Sequence, residues 1–590
     1  MEITPSSTRP ALRLVLILAT LHGLALWFLT GALRDSDWPA QHAGFYSAAL
    51  ALAAFLVPCT YALAEWMADR RTWLSIAGIA LLLALFGWHH GVMLNRLQER
   101  AFLAPEAIIT HFIATFVLLF HLLPFAQSML SGHSAWSNYP RLFGYAWRNA
   151  LRLALALLFL GITWLLLWVC AELFAMLGID FFRVIFFRDD RVVWLVSTLA
   201  FGTGIYFAEN SDRLLTAVRQ QVLGMLKWLV ALSAGILLMF SVALLIKSPV
   251  LFASQQHVIG ATWLLWLAVL NIYFYNAGFQ DGSDPRPFPS LLGRLLRYSA
   301  PLLAIIVVIA DYSLLVRVQA YGLTVSRVWG LLVGALVLLY AFGYLLASRR
   351  VEPWMAGMAR VNTVVALALI GLLTLMLTPV LSPYRLTANS MVERLVAAGN
   401  DIDRARLNAL RRETGRYGLS ALERLAHGGV AGASEVLQKS ASEALASNSW
   451  RVDVVRPAGL LNLEIFPAGA VAEPALRAAI ESSRNVRALN QCTASLPCQL
   501  LLLDWDRDGV MDAVLLATNG LALFQKNRVG LWQSRYLQAS CPAQQCQRDA
   551  MAQALRSGDY ELVMPSLPDL RIGRGRYRVI ASNESTGVGF

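Results

Sequence analysis

Along the first two-thirds of the chain, apolar positions follow neither the 3.6-residue stripe of a surface helix nor the alternation of a half-buried strand. They form long blocks near 11–33, 44–67, 73–94, 108–130, 150–177, 192–208, 222–246, 257–278, 298–316, 328–347 and 361–380, separated by short polar or basic segments. A bilayer core about 30 Å thick is crossed by about 20 apolar residues rising about 1.5 Å each. The pattern therefore predicts about eleven transmembrane helices in a polytopic domain over 1–380. The segment IDFFRVIFFRDD at 179–190 is too short and too basic to cross, and is expected to lie at the interface. The first block, RPALRLVLILATLHGLALWFLTGAL, is longer than a signal-peptide core and has no small-residue cleavage site, so it is expected to remain as an anchor.

Beyond residue 380 the pattern changes twice. TPVLSPYRLTANSMVERLVAAG and the helical pieces after it are punctuated by Gly399, Gly415, Gly418, Gly428 and Gly429, which predicts a helical collar over 381–447. From 448 to 590, short β-like runs (WRVDVV, LNLEIF, CQLLLLDW, DAVLLAT, LALFQ, SRYLQAS, RYRVIAS) with one helix near 474–484 predict a small α+β domain. Asn519-Gly520, between two apolar runs, reads as a hairpin turn. The expected fold is thus a membrane all-α helical bundle, an extracytoplasmic helical linker and a small α+β domain.

Composition supports this division: 57% of residues are hydrophobic and 15% charged, proportions suited to lipid rather than water. The net charge of +12 does not indicate a nucleic-acid partner, because the arginines sit in short clusters at span ends. With the N-terminus on the cytoplasmic side, fifteen basic residues near span ends face the cytoplasm and nine the opposite side. That bias favours an N-in orientation. An odd number of crossings then puts 381–590 outside the cytoplasm. Four of the six cysteines, Cys492, Cys498, Cys541 and Cys546, fall in this tail, while Cys59 and Cys170 lie in membrane blocks. An even set in an oxidising compartment reads as disulfides, with the local pairs Cys492–Cys498 and Cys541–Cys546 favoured among three connectivities. The alternative is four free thiols in a cytoplasmic domain, and the spacings do not suit zinc.

The most chemically pointed stretch is LLLLDWDRDGVMDAVLL. Asp504, Asp506 and Asp508 alternate, Gly509 permits a sharp turn, the carbonyl of Val510 offers a further oxygen, and Asp512 closes the set. Hard oxygen ligands in this order suit Ca²⁺. Leu515 stands where an EF-hand needs glutamate, so the loop resembles instead the aspartate loops of FG-GAP β-propeller repeats, in a single copy. Its competing reading is a metal-free acidic turn.

Ionisable groups at membrane depth are functional candidates by default. Asp311 and Glu172 lie within spans, Glu65 lies near a span end, His22 and His121 fall near mid-span, and His89, His90 and His111 sit closer to the outer surface. Asn271, Asn276 and Asn362 add hydrogen-bonding capacity. Such residues could relay protons in a proton- or ion-coupled permease or lipid transporter, although no inverted repeat is visible. Alternatively, each is held by a structural partner. No nucleotide-binding, serine-hydrolase or zinc-protease motif is present. RDSDW, with Asp35 and Asp37, suggests only a remote glycosyltransferase alternative.

Several stretches together, YPRLFGYAWRNALRLALALLFLGITWLLLWVCAELFAMLGIDFF, LNIYFYNAGFQDG, YGLTVSRVWGLLVGALVLLYAFGYLLA, SPYRLTANSMVERL and LRRETGRYGLSALERL, resemble the DUF4153 family of bacterial inner-membrane proteins over roughly 140–430. The resemblance implies architecture alone and brings no activity, substrate or catalytic residue. The leading expectation is a non-enzymatic envelope scaffold or sensor, embedded in the lipid bilayer and displaying its periplasmic domain to an envelope protein partner.

Overall fold

The computed structural model describes residues 12–35, 37–94, 104–133, 138–253, 260–349, 353–399, 404–446, 462–467, 469–482, 498–506, 509–517, 520–526, 532–537, 548–560, 570–572 and 575–577. The chain divides into two compact units, Met1–Trp450 and Arg451–Phe590. The expected helical collar therefore belongs to the same unit as the membrane helices.

The first unit begins with α1 (Leu12–Asp35), α2 (Ala43–Ala62), α3 (Arg70–Leu94), α4 (Ala104–Leu130), α5 (Tyr139–Met176) and α6 (Phe181–Phe187). It continues with α7 (Asp190–Glu209), α8 (Asp212–Ala253), α9 (Ala261–Phe279), α10 (Ser290–Tyr321), α11 (Val325–Ala347) and α12 (Met358–Met376). Ten of these, among the described residues, are long and apolar enough to cross a bilayer. Their outward surfaces are apolar: Leu165, Leu166, Leu245, Ile246 and Trp263 are each more than half exposed. A patch of that kind is stable against lipid and not against water. At 38 residues α5 is about 57 Å long, so its first turns extend beyond the hydrocarbon layer.

The sequence predicts eleven crossings, and the helix missing from the ten is α9. Asn271, Tyr273, Tyr275 and Asn276 lower its mean hydropathy, and its buried surface packs in the cluster with α8, α10 and α11. Its ends nevertheless require it to traverse the bundle. Glu209 at the end of α7 meets Arg152 near the start of α5, and α8 starts three residues later. Asn276, near the end of α9, is bonded to Tyr344 near the end of α11 and to Asn362 near the start of α12, which in turn bonds Tyr139 at the start of α5. Thus α8 leaves one end of the bundle and α9 returns to it. At the other end, His89 near the end of α3 meets Leu377 just after α12. Counted with α9, the connections alternate throughout, and the start of α1 and the end of α12 lie at opposite ends of the bundle.

Close packing fixes individual helix pairs. Gly87 and Gly91, four residues apart on α3, lie directly against the backbone of Ser47 and Ala43 on α2, where no Cβ could be accommodated. Small residues at this spacing let helix backbones approach in lipid, where burial of apolar surface supplies no net drive. The segment 179–190 contains α6, seven residues long and too short to cross a bilayer, with Phe181, Val184 and Phe187 exposed.

The collar follows as α13 (Pro383–Ala397), α14 (Arg404–Ala426) and α15 (Glu435–Ala446). Its helices share a core of Leu395, Leu407, Leu410, Leu422, Leu425 and Leu437. α14 is broken at Gly415, whose φ of 57° is left-handed and whose missing Cβ leaves room for the carbonyl of Met93 at the end of α3. Arg394 of α13 donates to the carbonyls of Gln319 and Ala320, capping the C-terminal end of α10.

In the second unit, β1 (Leu463–Phe466), β2 (Cys498–Leu503), β3 (Asp512–Ala517), β4 (Gly520–Lys526) and β5 (Trp532–Leu537) form one sheet in that order. β1 and β2 are parallel and the other neighbours antiparallel. α16 (Pro474–Ser482) sets Leu476 and Ile480 against Leu500, Ala513, Leu515 and Phe524. Phe466, Leu501, Val514 and Leu523 form the opposite face, with Leu555 of α17 (Arg548–Ser557) against them. Cover on both faces explains why β2 reads as a continuous apolar run rather than an alternation. The sequence reading did not include α17. A separate pair, β6 (Leu570–Ile572) and β7 (Gly575–Tyr577), is antiparallel. The expected hairpin joins β3 to β4; Gly520 belongs to β4, where it pairs with Ala517, and Asn519 lies outside the described residues. The run WRVDVV also lies outside them.

Candidate functional site

The aspartate loop connects β2 to β3, which pair up to Leu503↔Asp512. That pairing brings the two ends of the loop together, and carboxylate oxygens of Asp504, Asp506 and Asp512 lie within 4.8 Å of one another. Gly509 adopts a φ of 84°, the left-handed turn expected of it. Asp512 is buried, Asp506 is exposed, and Val510 is exposed beside them. The backbone N–H of Gly509 donates to Asp504 Oδ2 at 3.0 Å and that of Trp505 to Asp512 Oδ2 at 3.1 Å. Gln525 of β4 donates to both Asp506 and Asp512 at 3.2 Å. These donors hold the carboxylates convergent, the arrangement a hard divalent cation requires. Asp508 lies outside the described residues. Among the described residues the free thiols are Cys59 and Cys170; Cys498, fully buried at the start of β2, is not one of them. Cys492, Cys541 and Cys546 lie outside the described residues.

The membrane-depth candidates are distributed rather than joined. Glu172, near the end of α5, accepts from Arg183 of α6 at 2.8 and 2.9 Å in an exposed pair that ties the short helix to its neighbour. Asp311 of α10 packs its carboxylate into the notch left by Gly334 of α11. His22 is buried beside the backbone of Ala53 in α2. His121 bonds the Val117 carbonyl of its own helix at 2.8 Å. The two acids share no partner and do not form a relay with these histidines.

Other polar groups do converge. Asn276 donates to the Tyr344 hydroxyl at 2.7 Å, which donates to Asn362 Oδ1 at 2.8 Å; Asn362 donates to Asn276 Oδ1 at 2.6 Å and to the Tyr139 hydroxyl at 2.8 Å. This network staples α5, α9, α11 and α12.

At the same end, Glu65 of the short turn after α2 accepts from Arg152 at 2.8 Å and from Arg148 at 3.1 Å. Arg152 also lies 3.6 Å from Glu209. Burial alone would raise the Glu65 pKa, but the two guanidinium groups outweigh it and hold the carboxyl below its ordinary range. Arg148 further stacks over the Tyr145 ring, its guanidinium 5.0 Å from the centroid. In the sequence, Arg148 and Arg152 are two of the basic residues near span ends, and nothing singles out Glu209; the available signal is the pair of arginines one turn apart in α5.

At the opposite end, His90 and His111 stack with centroids 4.1 Å apart. His89 bridges the Leu377 carbonyl and the Tyr417 hydroxyl, each at 2.9 Å. A carbonyl only accepts, so Nδ1 carries the proton and Nε2 accepts from Tyr417. These histidines line a cavity of about 20 Å³ with Trp329, Ser382 and Tyr384, room for a single water. The cluster joins the membrane helices to the collar.

The chain matches the family described as domain of unknown function DUF4153 over residues 16–425, a wider stretch than the 140–430 of the sequence resemblance. No curated protein and no solved structure matches it. With a match spanning nearly the whole helical unit, its membrane helices and its collar alike, the chain belongs to the DUF4153 family of multi-helix membrane proteins.

Proposed function

We propose that this chain is a non-enzymatic scaffold or sensor of the bacterial inner membrane, holding its C-terminal unit in the periplasm for contact with an envelope protein. The observation that carries the reading is the fate of the membrane-depth polar groups. Glu172, Arg152, Asn276 and Asn362 are bound into short-range pairs and staples, as suits a rigid support rather than a transport path. The N-in orientation is supported by the arginine bias together with the opposite ends occupied by the start of α1 and the end of α12. A periplasmic address in turn agrees with cysteines paired as disulfides, and with an aspartate loop that binds Ca²⁺ as a staple between β2 and β3 through Asp504, Asp506, Asp508, the Val510 carbonyl and Asp512.

Two measurements on the full-length chain test this. An alkaline phosphatase fused after Phe590 is expected to be active, and an active cytoplasmic reporter at the same position would overturn the orientation. In proteoliposomes under an imposed pH gradient, the protein is expected to leave proton leakage at the protein-free level. Leakage that rises with protein and falls in Asp311→Asn would replace the scaffold with a permease.

A further inference from the structure

At the end of the bundle where α1 finishes and α7 begins, a groove of about 820 Å³ opens between these helices and α6. Its position at the termini of two spanning helices puts it at the depth of lipid head groups, and its volume is within the range of small-molecule sites. Trp27 and Phe28 of α1 and Trp38 in the following turn supply aromatic surface; such residues favour the boundary between hydrocarbon and water. Val184 and Ile185 of α6 extend the apolar surface toward the bilayer.

The charges in this groove are of both signs, and their commitments differ. Arg34 is paired with Asp190. Arg191 lies over the Trp27 ring, 4.8 Å from its centroid, and Asp189 caps the backbone N–H of Arg191. Three exposed groups, Arg188, Asp35 and Asp37, make no side-chain ion pair or hydrogen bond among the described residues. A purely anionic head group would be drawn to Arg188 but repelled by the two carboxylates. A head group with a phosphate and a primary ammonium matches both, since the ammonium offers three donors and the phosphate suits a guanidinium.

We propose that this groove selects a zwitterionic aminophospholipid from the surrounding bilayer. Arg188 receives the phosphate, Asp35 and Asp37 receive the ammonium, and the acyl chains descend along the exposed face of α1 at Leu21, Leu24 and Phe28. The site does not depend on which end of the bundle faces the cytoplasm, so it stands or falls apart from the scaffold reading.

The test is native mass spectrometry of the full-length protein exchanged into mixed micelles containing equal amounts of dioleoyl phosphatidylethanolamine, phosphatidylcholine and phosphatidylglycerol. The ethanolamine lipid is expected to be retained about tenfold over either competitor, the scale of one charge-assisted hydrogen bond. Asp35→Asn/Asp37→Asn is expected to remove the preference over the choline lipid. Arg188→Gln is expected to weaken retention of all three phospholipids. Both variants leave the Arg34–Asp190 pair in place, and unchanged thermal midpoints would confirm that they fold. Equal retention of the three lipids by the parent protein, or a preference untouched by both variants, would overturn the proposal.

Discussion

Arg152 offers the most demanding test of how the helical unit is held together. Its side chain is 6% exposed, that of Glu209 is 3% exposed, and that of Glu65 is 15% exposed. Glu65 also binds Arg148, with 2.9 Å between Nη1 and Oε1, so it keeps a cation when Arg152 is removed. For Glu209, Arg152 is the ion-pair partner, and removing it leaves a buried carboxylate without one. Breaking a buried ion pair from one side costs about 3–5 kcal/mol. Glu209 can escape part of this by taking up a proton, so Arg152→Met is expected near the lower bound, about 3 kcal/mol. Adding Glu209→Gln removes the stranded charge, and the double variant is expected to recover about 1–2 kcal/mol relative to the sum of the singles. The assay is SDS-titration unfolding in mixed micelles, read by tryptophan fluorescence and run as a double-mutant cycle. An Arg152→Met loss below about 0.5 kcal/mol, the level of an ordinary surface substitution, would refute the reasoning, as would strict additivity. The pH dependence has a definite sign. Because the folded pKa of Glu65 is depressed, its contribution is fully present above the ordinary glutamate value of 4.5 and is lost as pH falls through the folded value.

Two further outcomes follow from the packing. Gly91→Leu puts a branched side chain against the Ala43 backbone and is expected to separate α2 from α3, lowering the thermal midpoint in detergent, whereas Gly78→Leu, with open space around it, should leave the midpoint unchanged. Tyr344→Phe deletes the hydroxyl linking Asn276 to Asn362 and is expected to cost about 1–3 kcal/mol, because the buried Asn362 Oδ1 loses its donor; a neutral result in the same SDS titration would mean that the network is not a staple.

The sequence by itself determined the medium, the succession of helices and the shift to strands after the collar. Block length measures the bilayer, and local turn chemistry marks the breaks, as at Gly415 and around the short helix α6. It also placed Asp504, Asp506 and Asp512 close together, because they are near neighbours in a loop between paired strands. Only the tertiary structure decided which distant polar groups meet: Glu65 with Arg152 and Glu209, Asn276 with Tyr344 and Asn362, His90 with His111. Facing is set by the rotation of each helix about its axis, at about 100° per residue. A helix without an amphipathic stripe, such as α9, carries little record of that angle in its own residues. Its orientation comes from the close approaches and buried hydrogen bonds that form when neighbouring helices pack.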